Sequence, residues 1–313
     1  MKKVLVIGAS GFVGRKVARA LLAKELAVRC VARNPAKIED LVVLGCEAVQ
    51  GDMSDPASMQ RAFKDVQAAY ISVHTLSPQQ AGTAGQRFMD VETKGLQNIV
   101  AACRTHGVAR LIYLTSMGNV PDARSEWGRE RWKVEQLLLD SGLDVTVVQP
   151  GQIVGVGGTG FDMMVSQAKR SPTFMLANGK QRWRNIAVDD LVYYLMGMLD
   201  DPRTYKQRYE VGCDDILTND QMVDVTSEVL GRKHPAKIHL PRRVLGALAP
   251  VIERLTKLPS GSFKGLIDSM EGDMVGDPTP IRKILPRLPL SYRQAVERAL
   301  ALGSEEQANG KPM

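Results

Sequence analysis

Lys3-Val4-Leu5-Val6-Ile7-Gly8-Ala9-Ser10-Gly11-Phe12-Val13-Gly14 joins an apolar run to three glycines spaced three apart. The amphipathic stretch that follows sets Val13, Val17, Leu21 and Leu22 on one face. A buried strand that turns sharply into a helix aims the first helical N–H groups at whatever lies ahead. Only glycine lets a pyrophosphate approach such a backbone without meeting a Cβ. The stretch therefore predicts a dinucleotide-binding loop, with Gly8, Ser10, Gly11, Phe12, Val13 and Gly14 gathered around the phosphates.

The 313 residues are 44% hydrophobic and 24% charged, enough chain for one large domain or for a core plus a lobe. No stretch is apolar for long enough to cross a bilayer, and Met1 leads directly into the first strand with no room for a signal or transit peptide. The expected location is cytoplasmic. Cys30, Cys46, Cys103 and Cys213 stand far apart with no Cys-x-x-Cys or Cys/His pairing, which argues for buried reduced thiols over a disulfide framework or a zinc site. The net charge is +7, but residues 1–150 hold 19 Lys+Arg against 15 Asp+Glu and the remainder 22 against 19. An excess spread this evenly makes no basic stripe, and nucleic acid is not an expected partner.

Strand-like runs at 28–32, 48–50, 68–73, 110–115 and 145–148 alternate with helical patterns such as 56–63, where Asp55 can cap and Pro56 suits the first turn, and 91–104. This alternation predicts an α/β fold with a doubly wound parallel sheet of strand order 3-2-1-4-5-6 and right-handed crossovers. The division expected is a nucleotide-binding domain over 1–155, a smaller and mostly helical C-terminal substrate lobe over 156–302 interleaved with the sheet, and a polar tail over 303–313. Strand candidates in the distal part are confined to 186–188, 208–211 and 237–240.

The end of the second strand bears on which dinucleotide is preferred. An acid there holds the ribose hydroxyls of NAD, whereas a guanidinium accommodates the extra phosphate of NADP. The chain reads Cys30-Val31-Ala32-Arg33-Asn34-Pro35 with Lys37 beyond, so the expected cofactor is NADP, with NADPH preferred over NADH. After the third strand, the Asp52 carboxylate of Gly51-Asp52-Met53 either reaches the adenine amino group or serves as a turn residue. Ser72, Val73 and His74 end the fourth strand at the edge facing the nicotinamide half. His74 is there as a possible donor to substrate or as a loop histidine facing water.

These residues resemble the short-chain dehydrogenase/reductase superfamily, and within it the atypical, NmrA-like branch of Rossmann proteins. The resemblance rests on Gly8, Gly11 and Gly14, the Arg33 strand end, Asp52, Leu114-Thr115-Ser116, the stretch Val148-Gln149-Pro150-Gly151-Gln152-Ile153-Val154-Gly155, and Val188-Asp189-Asp190. It implies that Pro150, Gly151 and Ile153 cover the nicotinamide. Typical members use a Tyr-x-x-x-Lys pair and an upstream Ser for proton transfer. Ser116 fits the serine and Lys133 the lysine, but Arg129 stands where the tyrosine belongs, and a guanidinium is no acid at neutral pH.

Three readings follow for Lys133. It is the acid/base of a reductase acting on a small carbonyl or conjugated alkene, its pKa lowered by burial beside Arg129 and Arg131. Or it only anchors the ribose in a non-catalytic NADP sensor or assembly protein. Or it is a surface lysine of an amphipathic helix. A small-molecule substrate is the expected ligand, with a protein partner or a second copy as further expectations. Phe161, Met163, Met164, Phe174, Met175, Trp183 and Met198 offer apolar surface for substrate or core. The stretch 241–258 sets Arg242, Arg243, Arg254 and Lys257 among apolar residues in an amphipathic run.

Overall fold

Parallel strands covered on both sides read as continuous apolar runs, and Val4, Leu5 and Val6 of the first strand are accordingly fully buried. The computed structural model describes residues 2–73, 88–176, 179–256, 260–269 and 272–308; the expectation for His74 lies outside them. The described strands are β1 (Lys3–Ile7), β2 (Ala27–Ala32), β3 (Glu47–Gln50), β4 (Ala68–Ile71), β5 (Arg110–Leu114), β6 (Asp144–Pro150), β7 (Gln152–Val154), β8 (Thr173–Leu176), β9 (Arg182–Ala187), β10 (Gln207–Val211), β11 (Ile216–Thr218) and β12 (Lys237–Leu240). The helices are α1 (Phe12–Ala23), α2 (Glu39–Val43), α3 (Pro56–Phe63), α4 (Phe88–His106), α5 (Glu126–Leu139), α6 (Thr159–Ala168), α7 (Val188–Met198), α8 (Asn219–Val229), α9 (Arg242–Thr256), α10 (Ser262–Ser269), α11 (Thr279–Ile284) and α12 (Tyr292–Ala308).

The main sheet runs β10-β6-β5-β4-β1-β2-β3, and all its pairs are parallel. This is the expected 3-2-1-4-5-6 order with one strand added. That strand, β10, pairs with β6 from Gln207↔Thr146 to Val211↔Pro150, so a segment from the distal part of the sequence completes the main sheet. Two smaller sheets, β11-β9-β7 and β12-β8, lie outside it.

Alternate residues of β1 enter different cores. Val4 and Val6 pack with Val17 and Leu21 of α1 and with Leu191 and Leu195 of α7. Leu5 and Ile7 join Met59, Phe63, Leu96 and Leu138 on the opposite face. A third cluster, around Phe161, Met164, Met175, Met222 and Val296, holds the distal elements together. Of the apolar residues considered for a substrate surface, Phe161, Met164, Met175 and Met198 are therefore core, while Met163 and Phe174 are exposed.

The order reverses between β1 and β4, because the chain winds outward through β2 and β3 and then returns to the other side of β1. The carboxyl ends of β1 and β4 consequently border a crevice, the place where open parallel sheets bind ligands. No helix among the described residues is long and apolar enough to cross a membrane.

Candidate cofactor and active site

The glycines bordering this crevice have separable roles. Gly8 has φ +92°, and a Cβ there would stand 2.2 Å from the carbonyl oxygen of Ser72. A Cβ on Gly14 would stand 2.3 Å from the carbonyl oxygen of Gly8. These two glycines allow strand, turn and helix to touch backbone to backbone. At Gly11 a Cβ would meet only the Gly8 oxygen at 3.2 Å. The Gly11 N–H donates to that same oxygen at 2.9 Å and closes the turn. Gly11 is the N-cap of α1 and supplies no side chain to the helix start. The N–H groups of the first turn thus lack intrahelical acceptors and end at the crevice, with Ser10 exposed and Phe12 half-buried beside them. A pyrophosphate fits this backbone cradle, and the helix dipole favours its charge.

Arg33 lies one residue past β2 and is exposed; its guanidinium has no hydrogen bond or ion pair among the described residues. Nearby, Arg19 pairs with Asp40 at 2.6 Å and Arg15 pairs with the same carboxylate. Burial pushes the Asp40 pKa up, but the two guanidiniums together outweigh it and hold the carboxyl below its usual range. Asp52 accepts from the backbone N–H of Ser54 at 2.8 Å and from its hydroxyl at 2.7 Å, both through Oδ1. Asp52 is thus a turn residue with Oδ2 still available. Met53 is buried in the core against Gly95, and its carbonyl accepts from the Asn98 amide at 2.9 Å. Ser72 and Val73 are half-buried past β4, with the Ser72 N–H bonded to Ile7 at 2.9 Å.

Ser116 follows β5 and is half-buried. It is held in place because Thr115 donates to Val148 at 2.9 Å and Met117 donates to Pro150 at 3.1 Å. Pro150 and Gly151 are buried. A Cβ on Gly151 would stand 2.1 Å from the Arg184 carbonyl oxygen, so the chain passes from β6 into β7 against β9. Ile153, in β7, is half-buried.

Helix α5 places Lys133 as the surface-lysine reading has it, without the burial that the acid/base reading expects. The buried residues of α5 are Gly128, Arg131, Val134, Glu135 and Leu138, a face at spacings of three and four. Arg131 lies 3.2 Å from Glu92, 5.1 Å from the centre of the Trp127 ring and 3.4 Å from the Thr115 hydroxyl. Glu92 also accepts the Tyr113 hydroxyl. One turn further along α5, Glu135 binds Asn119 at 2.6 Å, Gln149 at 2.9 Å and Arg208 of β10 at 2.7 Å.

Burial raises the Tyr113 pKa well above its ordinary value, and the neighbouring Glu92 charge adds to that. Burial also raises the Glu135 carboxyl, against the hydrogen bonds from Asn119, Arg208 and Gln149. For Arg131, burial opposes the charge, yet Glu92, Tyr113 and Glu135 keep the guanidinium above its usual pKa.

Lys133 is exposed. It stands two residues from Arg131, roughly 200° around the helix, so the burial expected for it falls on Arg131 instead. Arg129 donates to the carbonyls of Ala123 at 2.5 Å and Arg124 at 2.9 Å and so ties down the preceding loop. The signal that finds Arg131 is in the sequence: Val134 and Leu138 define the buried face, and position 131 lies on it while 133 does not.

A parallel sheet with a glycine cradle at its switch point defines a nucleotide-binding α/β protein. The chain belongs to the NAD(P)H-binding family, whose profile matches residues 8–176. It is 26% identical over 232 residues to an NAD(P)H azoreductase of Xenophilus azovorans, covering 73% of this chain and 74% of that one. It is also 26% identical over 329 residues to the sterol demethylase protein B of Methylococcus capsulatus, covering 95% and 97%. Among solved structures, it superimposes on gox2253 with a TM-score of 0.75 at 21% identity, covering 100% of both chains. The NADPH complex of an Escherichia coli quinone oxidoreductase superimposes with a TM-score of 0.70 at 17% identity, covering 95% of this chain and 99% of that one. The nucleotide-binding reading of the glycine triplet thus agrees with the family that the chain belongs to.

Proposed function

We propose that the protein is an NADPH-dependent reductase of small conjugated acceptors, in which 1–155 holds the cofactor and 156–302 shapes the substrate side. The family match and the reductase relatives support the oxidoreductase class. Gly8 to Gly14 would hold the pyrophosphate, Arg33 the 2′-phosphate, and the backbone at Pro150 and Gly151 would lie over the nicotinamide half. Bound reduced nicotinamide supplies a hydride.

The observation that carries the substrate class is how the polar side chains of β5 and α5 are already engaged. Tyr113 is committed to Glu92, Arg131 is ion-paired and buried, and Lys133 is on the exposed face of α5. Among the described residues, Tyr113 and Arg131 are thus occupied by other partners and Lys133 faces outward, which leaves none of the three in position to hand a proton to substrate. Reduction of an isolated ketone produces a localised alkoxide, which calls for a positioned proton donor. A quinone, azo compound or enone produces a delocalised anion that water protonates, and a hydroxyl such as Ser116 is enough to orient it.

The test follows reduced-nicotinamide absorbance with the purified chain and a panel containing a quinone, an azo dye, an enone and a simple ketone. Turnover of the conjugated acceptors is expected, with the ketone slower by about a hundredfold or more, the usual contribution of general acid catalysis. Ketone turnover at a comparable rate overturns the substrate class. Tight NADPH binding with no turnover anywhere overturns the enzymatic reading in favour of a nucleotide-binding sensor.

A further inference from the structure

Helix α9 presents two unlike faces. Leu245, Ala249 and Glu253 are buried, and Glu253 accepts from the N–H groups of Gly261 at 2.9 Å, Phe263 at 2.8 Å and Lys264 at 3.1 Å, which fastens α9 to the start of α10. Val244, Leu248, Val251 and Leu255 are 49%, 47%, 55% and 79% exposed and recur at helical spacing, so they form one apolar stripe along the outer side. Arg243 and Arg254 are exposed along one border of this stripe, with no ion pair to another described residue. Of the five charged residues in 241–258, four are basic, and the single acid, Glu253, is the buried one. An exposed apolar stripe whose exposed charges, among the described residues of α9, are both arginines fits a surface that is apolar beneath and anionic at its boundary.

We propose that the outer face of α9 docks on an anionic lipid bilayer, with Val244, Leu248, Val251 and Leu255 entering the acyl boundary and Arg243 and Arg254 meeting the headgroup phosphates. A second copy of this chain is a poorer occupant. A two-fold contact would set the same arginines against each other, with no exposed acid on the helix to separate them. The docked face also connects to the candidate site, because α10 packs so closely on α5 that a Cβ at Gly265 would stand 2.4 Å from the Trp127 ring, which itself lies against Arg131. A bilayer under α9 would therefore place the substrate side of the crevice near a source of apolar molecules.

Docking is independent of turnover, since binding to vesicles is read directly. The full chain is sedimented with unilamellar vesicles of phosphatidylcholine, with and without phosphatidylglycerol, at low and high salt. Pelleting with the anionic vesicles is expected, decreasing as salt screens the two arginines. The double variant Leu248→Asp/Leu255→Asp should bind about tenfold more weakly or worse while retaining the thermal unfolding and NADPH affinity of the parent, because both side chains are exposed. Absence of pelleting, or equal pelleting by parent and variant, overturns the proposal. So does a parent that elutes as a dimer which Leu255→Asp dissociates, for then the stripe joins two copies.

Discussion

The loop Gly8 to Gly14 follows β1 and the helix α5 follows β5 of the same parallel sheet, yet one is built from backbone and the other from side chains. In the loop, close backbone packing depends on what is missing. A Cβ at 8 or 14 would collide with backbone at 2.2 or 2.3 Å, and backbone cannot move aside cheaply. On α5, burial and pairing depend on which way a residue faces. A shift of two positions exchanges a buried guanidinium, Arg131, for an exposed ammonium, Lys133. A backbone site can therefore be read from residue identity and spacing alone. A side-chain site also requires the helix face to be assigned before any residue is given a role.

Substitution at Gly14 should be the most damaging. Gly14→Val forces a branched side chain into the Gly8 carbonyl, and a loss of about 4 kcal/mol or more is expected, enough to remove both the folded state and NADPH binding. The control is Gly45→Ala, at a glycine with φ +100° and nothing within 4 Å of its would-be Cβ. Conformational strain alone operates there, at about 1–2 kcal/mol. Thermal unfolding and fluorescence titration of NADPH measure both. Equal destabilisation by the two variants would mean that close packing is not what the loop glycines provide.

The same contrast explains which parts of the fold were legible in the sequence. The central strands of the main sheet and the glycine turn were readable because strands covered on both faces are continuous apolar runs, and because a turn against backbone admits only glycine. The place of β10 beside β6 was not readable. It depends on long-range partners, among them Arg208 reaching Glu135 on α5, and short strand patterns do not identify their neighbours. The burial of Arg131 was readable in principle from Val134 and Leu138, but the spacing from Ser116 pointed to 133. Asp52 stayed undecided because a carboxylate beside Ser54 suits a turn as well as a ligand.

Arg33 is a side-chain position on a loop, where no helix face has to be assigned. Its guanidinium is exposed and has no partner among the described residues, so it is available to a 2′-phosphate. A charge-assisted hydrogen bond contributes about 1.5–3 kcal/mol, and Arg33→Ala should weaken NADPH by about tenfold or more while leaving NADH nearly unchanged. Parallel titrations with the two cofactors decide it. Equal losses would show that the NADPH preference, if present, has another origin.

The smallest effect expected is at Lys133, and it is the sharpest test of the α5 half of the comparison. An exposed side chain with no partner among the described residues contributes little to stability, so Lys133→Met should change it by no more than about 0.5 kcal/mol. If proton transfer to a conjugated substrate comes from water, kcat should also stay within about a factor of two to three of the parent, since general acid–base catalysis, when it operates, contributes about a hundredfold or more. Stopped-flow and steady-state rates with a quinone and with an enone supply the measurement. A loss of a hundredfold or more with NADPH affinity intact would return Lys133 to the role of acid. It would then follow that substrate binding rotates or closes α5 so that an exposed lysine reaches the crevice, and helix facing in the free protein would no longer be a guide to the catalytic residue.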